Sequence, residues 1–281
     1  MHDHNTSPTL APYIKAHNEP LAGKVWLVGA GPGDPELLTL KALRILRECT
    51  LWLVDDLVSE GILALATPGT RIIKVGKRGG RKSSTPQPFI LRLMARYARQ
   101  GHTVARVKGG DPFIFGRGGE EIAWLQSRGV AVDHVSGITA GLAVASALGL
   151  PLTHREVARG VIFVTAHTAD GASPAWRALA QSGMTIVCYM GMRDPQTLMD
   201  ELLQAGFSPT LPVAIVQHVS RPDQRHAFTT LAQTACTVRT HNLGSPAVIV
   251  LGEAVGFAGA LAMSSVARSP APITDSLRMT M

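Results

Sequence analysis

The chain has 281 residues, 46% of them hydrophobic, which is ample for sizeable buried cores and excludes disorder over most of its length. Its apolar runs, such as Val25 to Val28 and Met184 to Met190, fall far short of the roughly 18 residues of a membrane span, and its first residues lack the basic-then-apolar order of a secretory signal, so a cytoplasmic protein is expected. A formal net charge of +7 suits nucleic acid, an anionic membrane surface or a small polyacid; with only 5% aromatic residues the chain lacks the aromatic-interleaved basic run usual in nucleic-acid binders, and its densest basic cluster, Lys77 to Lys82, could face a small polyacid equally well.

In chain order, residues 1–23 are polar and proline-bearing and read as a flexible extension. Strands are expected near Val25–Val28, Leu51–Val54, Arg71–Val75, Thr103–Val107 and Ala131–Val135, separated by amphipathic stretches at Pro35–Glu48 and Pro88–Gln100, with a helix-competent Glu120–Gln126. That alternation implies parallel β-α units. A second series follows, with strands near Val161–Thr165, Thr185–Met190, Val213–Gln217 and Ala247–Leu251 and helices near Ile138–Leu148, Pro174–Gln181 and Pro195–Ala205. Phe228 to Cys236 is ambiguous between strand and helix and can add an antiparallel pair. The expected fold is α/β: two consecutive α/β domains, 24–136 and 137–257, with a cleft between them and a flexible tail at 258–281.

The stretch Val107 to Glu121, Val-Lys-Gly-Gly-Asp-Pro-Phe-Ile-Phe-Gly-Arg-Gly-Gly-Glu-Glu, ends a strand and opens a helix. Open α/β sheets place their ligands there, and glycines let the backbone come close to them. Arg117 with Glu120 or Glu121 could form an ordinary ion pair at a helix start, but such a pair does not need Gly109-Gly110 before it or Gly118-Gly119 beside it. The earlier turn Gly29-Ala-Gly-Pro-Gly-Asp-Pro35 looks at first like a dinucleotide fingerprint, with Asp55 and Asp56 where a ribose-binding acid would stand. Its glycines are one residue too close together, and Pro32 and Pro35 stiffen the place where a pyrophosphate needs free N–H groups. Taken alone, that turn is as well explained by a tight strand-to-helix connection. In Gly137-Ile-Thr-Ala-Gly141, Thr139 can cap a helix or meet a ligand, and the cap is the commoner role. Met190 in Tyr189-Met-Gly-Met can fill core space or lie against a flat ring. Cys49, Cys188 and Cys236 match no disulfide or metal spacing, and no histidine pair sits beside an acid at ligand spacing, so no metal is expected.

Taken in order, Val28-Gly-Ala-Gly-Pro-Gly-Asp-Pro, Val75-Gly-Lys-Arg, Lys108 to Glu121, Gly137-Ile-Thr-Ala, Pro151-Leu-Thr-His-Arg155, Tyr189-Met-Gly and Ser245-Pro-Ala resemble the tetrapyrrole methylases from about Lys24 to Val255. The likeness is strongest to their uroporphyrinogen-III C-methyltransferase branch. The resemblance implies a homodimer that binds S-adenosylmethionine between its domains and methylates uroporphyrinogen III at carbons 2 and 7, giving precorrin-1 and then precorrin-2. It implies cofactor contacts at Pro32, Gly109, Gly110, Asp111, Ile114, Thr139, Ala140 and Met190, a proton acceptor at Asp55 and a proton donor at Lys77. The substrate's eight carboxylates suggest that Arg117 and Arg155 clamp its acids, with Glu120 orienting Arg117. Later steps, toward sirohaem or cobalamin, are expected to fall to separate enzymes. Val54, Asp56, Ser136, Ala166 and Val219 depart from the family pattern. Alternative readings are another precorrin methylase and, from a different class, a nicotinamide-dependent oxidoreductase.

Overall fold

The computed structural model describes residues 23–76, 85–166 and 173–257, and these form two five-stranded sheets. The first contains β1 (Val25–Gly29), β2 (Leu51–Val54), β3 (Arg71–Lys74), β4 (Val104–Lys108) and β5 (Val132–Val135), in the order β3-β2-β4-β1-β5. Every pairing in it is parallel. β1, β2 and β4 are buried along their whole length, as a parallel sheet covered on both faces requires. Trp26, Val28, Trp52 and Val54 face α1 (Leu40–Glu48), whereas Val25, Leu27, Leu51 and Leu53 face α3 (Gln87–Arg99) and α4 (Gly118–Gln126).

The topology creates a crevice. From β1 the chain passes over β4 to reach β2, while from β4 it passes over β1 to reach β5. The connections leaving these two adjacent strands therefore diverge, and their helices α1 and α4 lie on opposite faces. The space beyond the carboxyl ends of β1 and β4 is the natural ligand position in such a sheet.

Pro35–Glu48 is not one helix. Asp34 caps a 3-10 turn at Pro35–Leu37, Leu38 is extended, and Thr39 starts α1 by accepting a hydrogen bond from the Ala42 N–H at 3.1 Å. Two side-chain caps five residues apart compete for one stretch, and both are satisfied. A short α2 (Glu60–Leu63), capped by Ser59, follows β2.

The second sheet contains β6 (Val161–Thr165), β7 (Thr185–Tyr189), β8 (Pro212–Gln217), β9 (Arg225–Thr230) and β10 (Ala247–Leu251), in the order β6-β7-β10-β8-β9. Only β6 and β7 run parallel; β10 lies antiparallel to both neighbours, as β9 does to β8. One face packs on α7 (Pro195–Gln204) through Ile186, Cys188 and Ile215, and the other on α5 (Ala140–Leu148) through Val187, Val216 and Val250. Residues Phe228 to Cys236 are shared between strand and helix: β9 ends at Thr230, a 3-10 turn covers Leu231–Gln233, and α8 (Thr234–Thr240) begins where the Thr234 hydroxyl donates to the Thr230 carbonyl. The two domains are thus both α/β, the first parallel and the second mixed. Among the described residues no helix is long and apolar enough to cross a membrane.

Candidate active site

Three loops meet by backbone at the carboxyl ends of β1, β4 and β5. Gly31 and Gly110 form an antiparallel bridge, in which the Gly110 N–H donates to the Gly31 carbonyl at 2.7 Å and the Gly31 N–H to the Gly110 carbonyl at 3.2 Å. Gly29 approaches Gly137 so closely that a Cβ on Gly29 would lie 2.5 Å from the Gly137 nitrogen, and a Cβ on Gly137 would strike the Gly110 carbonyl oxygen. No side chain fits either position, which explains the glycine spacing.

Carboxylates lock this crossing. Asp111 accepts from the Gly137 N–H at 3.0 Å and from the Phe113 N–H at 2.8 Å, joining the β4 loop to the β5 loop. Asp55, just past β2, accepts from the Gly109 N–H at 3.2 Å and from the Leu57 N–H at 3.0 Å. Its neighbour Asp56 lies instead against Gly76, so the paired acids diverge. The Val54 side chain is buried in the core of the first domain. Lys77 lies outside the described residues.

Beneath the loop, Glu121 is fully buried. Its Oε1 accepts from Gln87 at 2.8 Å and lies 3.4 Å from Arg106 Nε, while its Oε2 faces Lys108 Nζ at 3.4 Å. Burial, then the neighbouring Arg106, hold the Lys108 ammonium below the usual lysine range, with Glu121 opposing them. One carboxylate thus faces two buried cations at the foot of the loop. Of the two acids that could have paired with Arg117, Glu120 does so at the surface, with Arg117 Nη2 2.6 Å and Nε 3.0 Å from Glu120 Oε2. That contact raises the Arg117 pKa and lowers that of Glu120. Arg155 stands exposed in the turn closed by the His154–Ala158 bridge, with no ion pair among the described residues.

The other wall comes from the second sheet. The Tyr189 hydroxyl, at the end of β7, lies 2.7 Å from Thr139 Oγ1 and accepts from the Gly141 N–H at 2.7 Å. The Thr139 side chain therefore makes no cap to α5, contrary to the commoner role expected of it, because Tyr189 takes its hydroxyl. Phe115 reaches across to Tyr189, with ring centroids 5.0 Å apart. Met190 is half-exposed, so it does not fill core space. Pro32, Ile114 and Ala140 are each partly buried. Among the described residues, six that are not glycine have positive φ, and Phe115, Arg117, Met190, His218 and Ser220 are five of them, in the loops that end β4, β7 and β8. Strain gathered in this way marks functional loops.

The geometry argues against a dinucleotide cradle. The first glycine turn leads into a three-residue 3-10 turn rather than a helix N-terminus, the Asp34 N–H is already bonded to Ser220 Oγ, and the Arg221 side chain covers Gly33. A phosphate finds no free N–H cluster there. Among the described residues no group of three potential metal ligands comes together.

The sequence pattern of the tetrapyrrole (corrin/porphyrin) methylases matches residues 24–235. This chain belongs to that family. As a tetrapyrrole methylase it is similar to a uroporphyrinogen-III C-methyltransferase of Pseudomonas aeruginosa, with 51% identity over 83% of this chain and 94% of that one. It is similar to the crystal structure of a uroporphyrin-III C-methyl transferase from Thermus thermophilus complexed with S-adenyl homocysteine, at 43% identity and a TM-score of 0.71, covering 83% of this chain and 93% of that one. A cobalt precorrin-4 methyltransferase structure is 30% identical, with a TM-score of 0.73 and coverage of 83% and 96%. Three residues at the candidate site have contacts that the sequence does not announce: the Tyr189 hydroxyl anchors the Gly141 N–H, Glu121 is a buried counter-ion of Lys108, and Arg221 reaches the Leu57 carbonyl of the first domain. Tyr189 and Glu121 did lie inside recognised motifs, while Arg221 gave no local signal.

Proposed function

We infer that this chain transfers methyl groups from S-adenosylmethionine to uroporphyrinogen III, at carbons 2 and 7 in turn, forming precorrin-1 and then precorrin-2. The observation that carries this reading is the rigid segment Lys108–Glu121, whose glycine crossing and paired Arg117–Glu120 lie on one loop beside the β7 end, in a chain 51% identical to a uroporphyrinogen-III C-methyltransferase. The donor has a sulfonium, a ribose, an adenine and an amino-acid head but no phosphate, so a close-packed glycine cradle suits it.

Pro32, Gly109, Gly110, Ile114, Thr139, Ala140 and Met190 would line the donor's place. Asp111, which fixes the loop by accepting from the Phe113 and Gly137 N–H groups, keeps a lone pair on each oxygen and would contact the donor as well. The methyl group arrives already activated on sulfur. What remains for the protein is to hold the electron-rich pyrrole carbon in line, to exclude water and to remove a proton afterwards. Asp55, fixed by the Gly109 and Leu57 N–H groups, is the proposed proton acceptor, and Lys77 the proposed donor. Arg117, oriented by its surface pair with Glu120, and Arg155, which has no ion pair among the described residues, would receive substrate carboxylates through their guanidinium groups. The same reading makes the working enzyme a cytoplasmic homodimer whose product passes to separate enzymes of sirohaem or cobalamin synthesis.

Anaerobic incubation with uroporphyrinogen III and S-adenosylmethionine tests it, with the added methyl groups counted by mass spectrometry. Two added methyl groups are expected. Product formed only from an already methylated precorrin would move the assignment to a later methylase. Binding of NAD or NADP, with none of S-adenosylhomocysteine, would overturn it altogether.

A further inference from the structure

The turn after β8, residues 218–224, is built around two left-handed residues that are not glycine, His218 at φ 53° and Ser220 at φ 64°. Several contacts hold it there. The His218 N–H donates to the Pro246 carbonyl at 3.1 Å, the Arg221 N–H to the His218 carbonyl at 3.0 Å and the Ser220 N–H to Gln224 Oε1 at 2.7 Å, while His218 Nδ1 lies 2.6 Å from Asp223 Oδ2. Such a turn is pre-shaped, and what it presents is directed at the other domain. Ser220 Oγ accepts from the Asp34 N–H at 3.1 Å, the Arg221 methylenes cover Gly33, and Arg221 Nη2 donates to the Leu57 carbonyl at 2.6 Å.

Leu57 is the informative partner. Its own N–H donates to Asp55 Oδ1, and its Cβ lies 2.5 Å from where a Cβ on Gly109 would stand. Asp55 in turn accepts from the Gly109 N–H. A short relay therefore runs from Arg221 through the Leu57 peptide units to Asp55 and the glycine loop, and its parts lie 164 residues apart in sequence at the first step and 54 at the last.

We propose that Arg221 is a positioning residue for Asp55: by holding the Leu57 carbonyl it sets the carboxylate that accepts the proton, so that proton removal depends on the second domain being seated on the first. The proposal rests on the reading of Asp55 as proton acceptor. It assigns Arg221 no contact with either reactant. Arg221 touches none of Gly29, Gly110, Gly137 and Tyr189, meets the first glycine turn only at Gly33 and reaches Gly109 only through Leu57 and Asp55, so turnover should suffer far more from its loss than donor binding.

The test compares Arg221→Ala, Arg221→Lys, Asp55→Asn and the double variant Arg221→Ala/Asp55→Asn. S-adenosylhomocysteine affinity is measured by calorimetric titration, and methyl transfer to uroporphyrinogen III by kcat and its pH profile. Arg221→Ala is expected to lower kcat by about tenfold or more, as small misplacements of a reacting group do, with the S-adenosylhomocysteine Kd within about threefold of the parent and a displaced pH profile. Arg221→Lys, which keeps one cationic donor for the carbonyl, should recover part of the loss. In the Asp55→Asn background, Arg221→Ala should cost little more, because the two act as a unit. Unchanged kcat in Arg221→Ala, or losses that multiply in the double variant, would overturn the relay. Full activity of Asp55→Asn by itself would sink the acceptor assignment instead, which separates the two failures.

Discussion

At the scale of single residues, the site is decided by where a Cβ can and cannot be placed. Gly137 and Gly110 look alike in the sequence but fail for different reasons when substituted. A Cβ on Gly137 meets the backbone of both Gly110 and Gly29, which cannot swing away, whereas one on Gly110 finds nothing nearer than Thr139 Cα at 3.7 Å and suffers only from its φ of 68°. Gly137→Ala should therefore cost about 2 kcal/mol or more through forced backbone movement, and lower S-adenosylhomocysteine affinity at least about tenfold with it. Gly110→Ala should cost about 1–2 kcal/mol, the penalty of a left-handed alanine, and keep most of that affinity. Denaturant unfolding and calorimetric titration of both variants check the contrast; equal losses would contradict it. The glycines were visible from the sequence and their purpose only in part. Spacing along the chain shows that backbone must approach something, but not that Gly29, Gly110 and Gly137 approach one another. Asp111 illustrates the same limit, since its residue type suggests a ligand contact but does not show that its oxygens also tie the loops together through the Phe113 and Gly137 N–H groups.

At the scale of elements, Tyr189 joins the last residue of β7 to the first turn of α5. Its phenol lies against Thr139 Oγ1 and the Gly141 N–H, in a place where burial, opposed by these two hydrogen bonds, raises its pKa above the ordinary value. Tyr189→Phe leaves the ring contacts with Phe163 and Phe115 but strands the partners of the hydroxyl. A destabilisation of about 1–3 kcal/mol is expected, typical of an unsatisfied buried donor, and thermal unfolding measures it. Donor affinity should fall as well, because Thr139 and Ala140 lose their anchor. Most elements were legible from period and punctuation: every strand of the parallel sheet stands within a residue or two of its expected place. The errors have local causes. Two capping residues, Asp34 and Thr39, split one amphipathic stretch into a 3-10 turn and a helix. In the second sheet the apolar runs of β8 and β10 look like those of parallel strands because both are covered on two faces, so their antiparallel pairing could not be read from composition.

For the whole molecule, two thiols give a pH signature. Cys49 in the first domain and Cys188 in the second are buried and free, and burial pushes each thiol from 9.0 to about 12, aided at Cys49 by Glu48 and opposed at Cys188 by a backbone hydrogen bond to Ala166. Above pH 9 the unfolded chain loses these protons while the folded protein keeps them, so the unfolded state binds fewer protons and stability falls as pH rises. Each thiol should contribute a slope of up to about 1.4 kcal/mol per pH unit between pH 9 and 12. Replacing both by alanine should flatten that part of the curve in denaturant titrations, and a curve of unchanged slope would refute the assignment. Candidate site residues could be named from the sequence in both domains, Asp55 and the Lys108–Glu121 loop in the first and Thr139, Ala140, Met190 and Arg155 in the second, but the contact that ties the two halves together could not. Arg221 stands in a turn without glycine, and its meaning depends on a partner carbonyl, which every residue possesses. The order of strands carries a last consequence, for biosynthesis. The first sheet is complete once residue 135 has been made, but β10, residues 247–251, sits in the middle of the second sheet between β7 and β8. On the ribosome the amino-terminal domain can close early and wait. The second domain cannot close until its central strand emerges, so the cleft is assembled last, and a nascent chain shorter than that holds half a site.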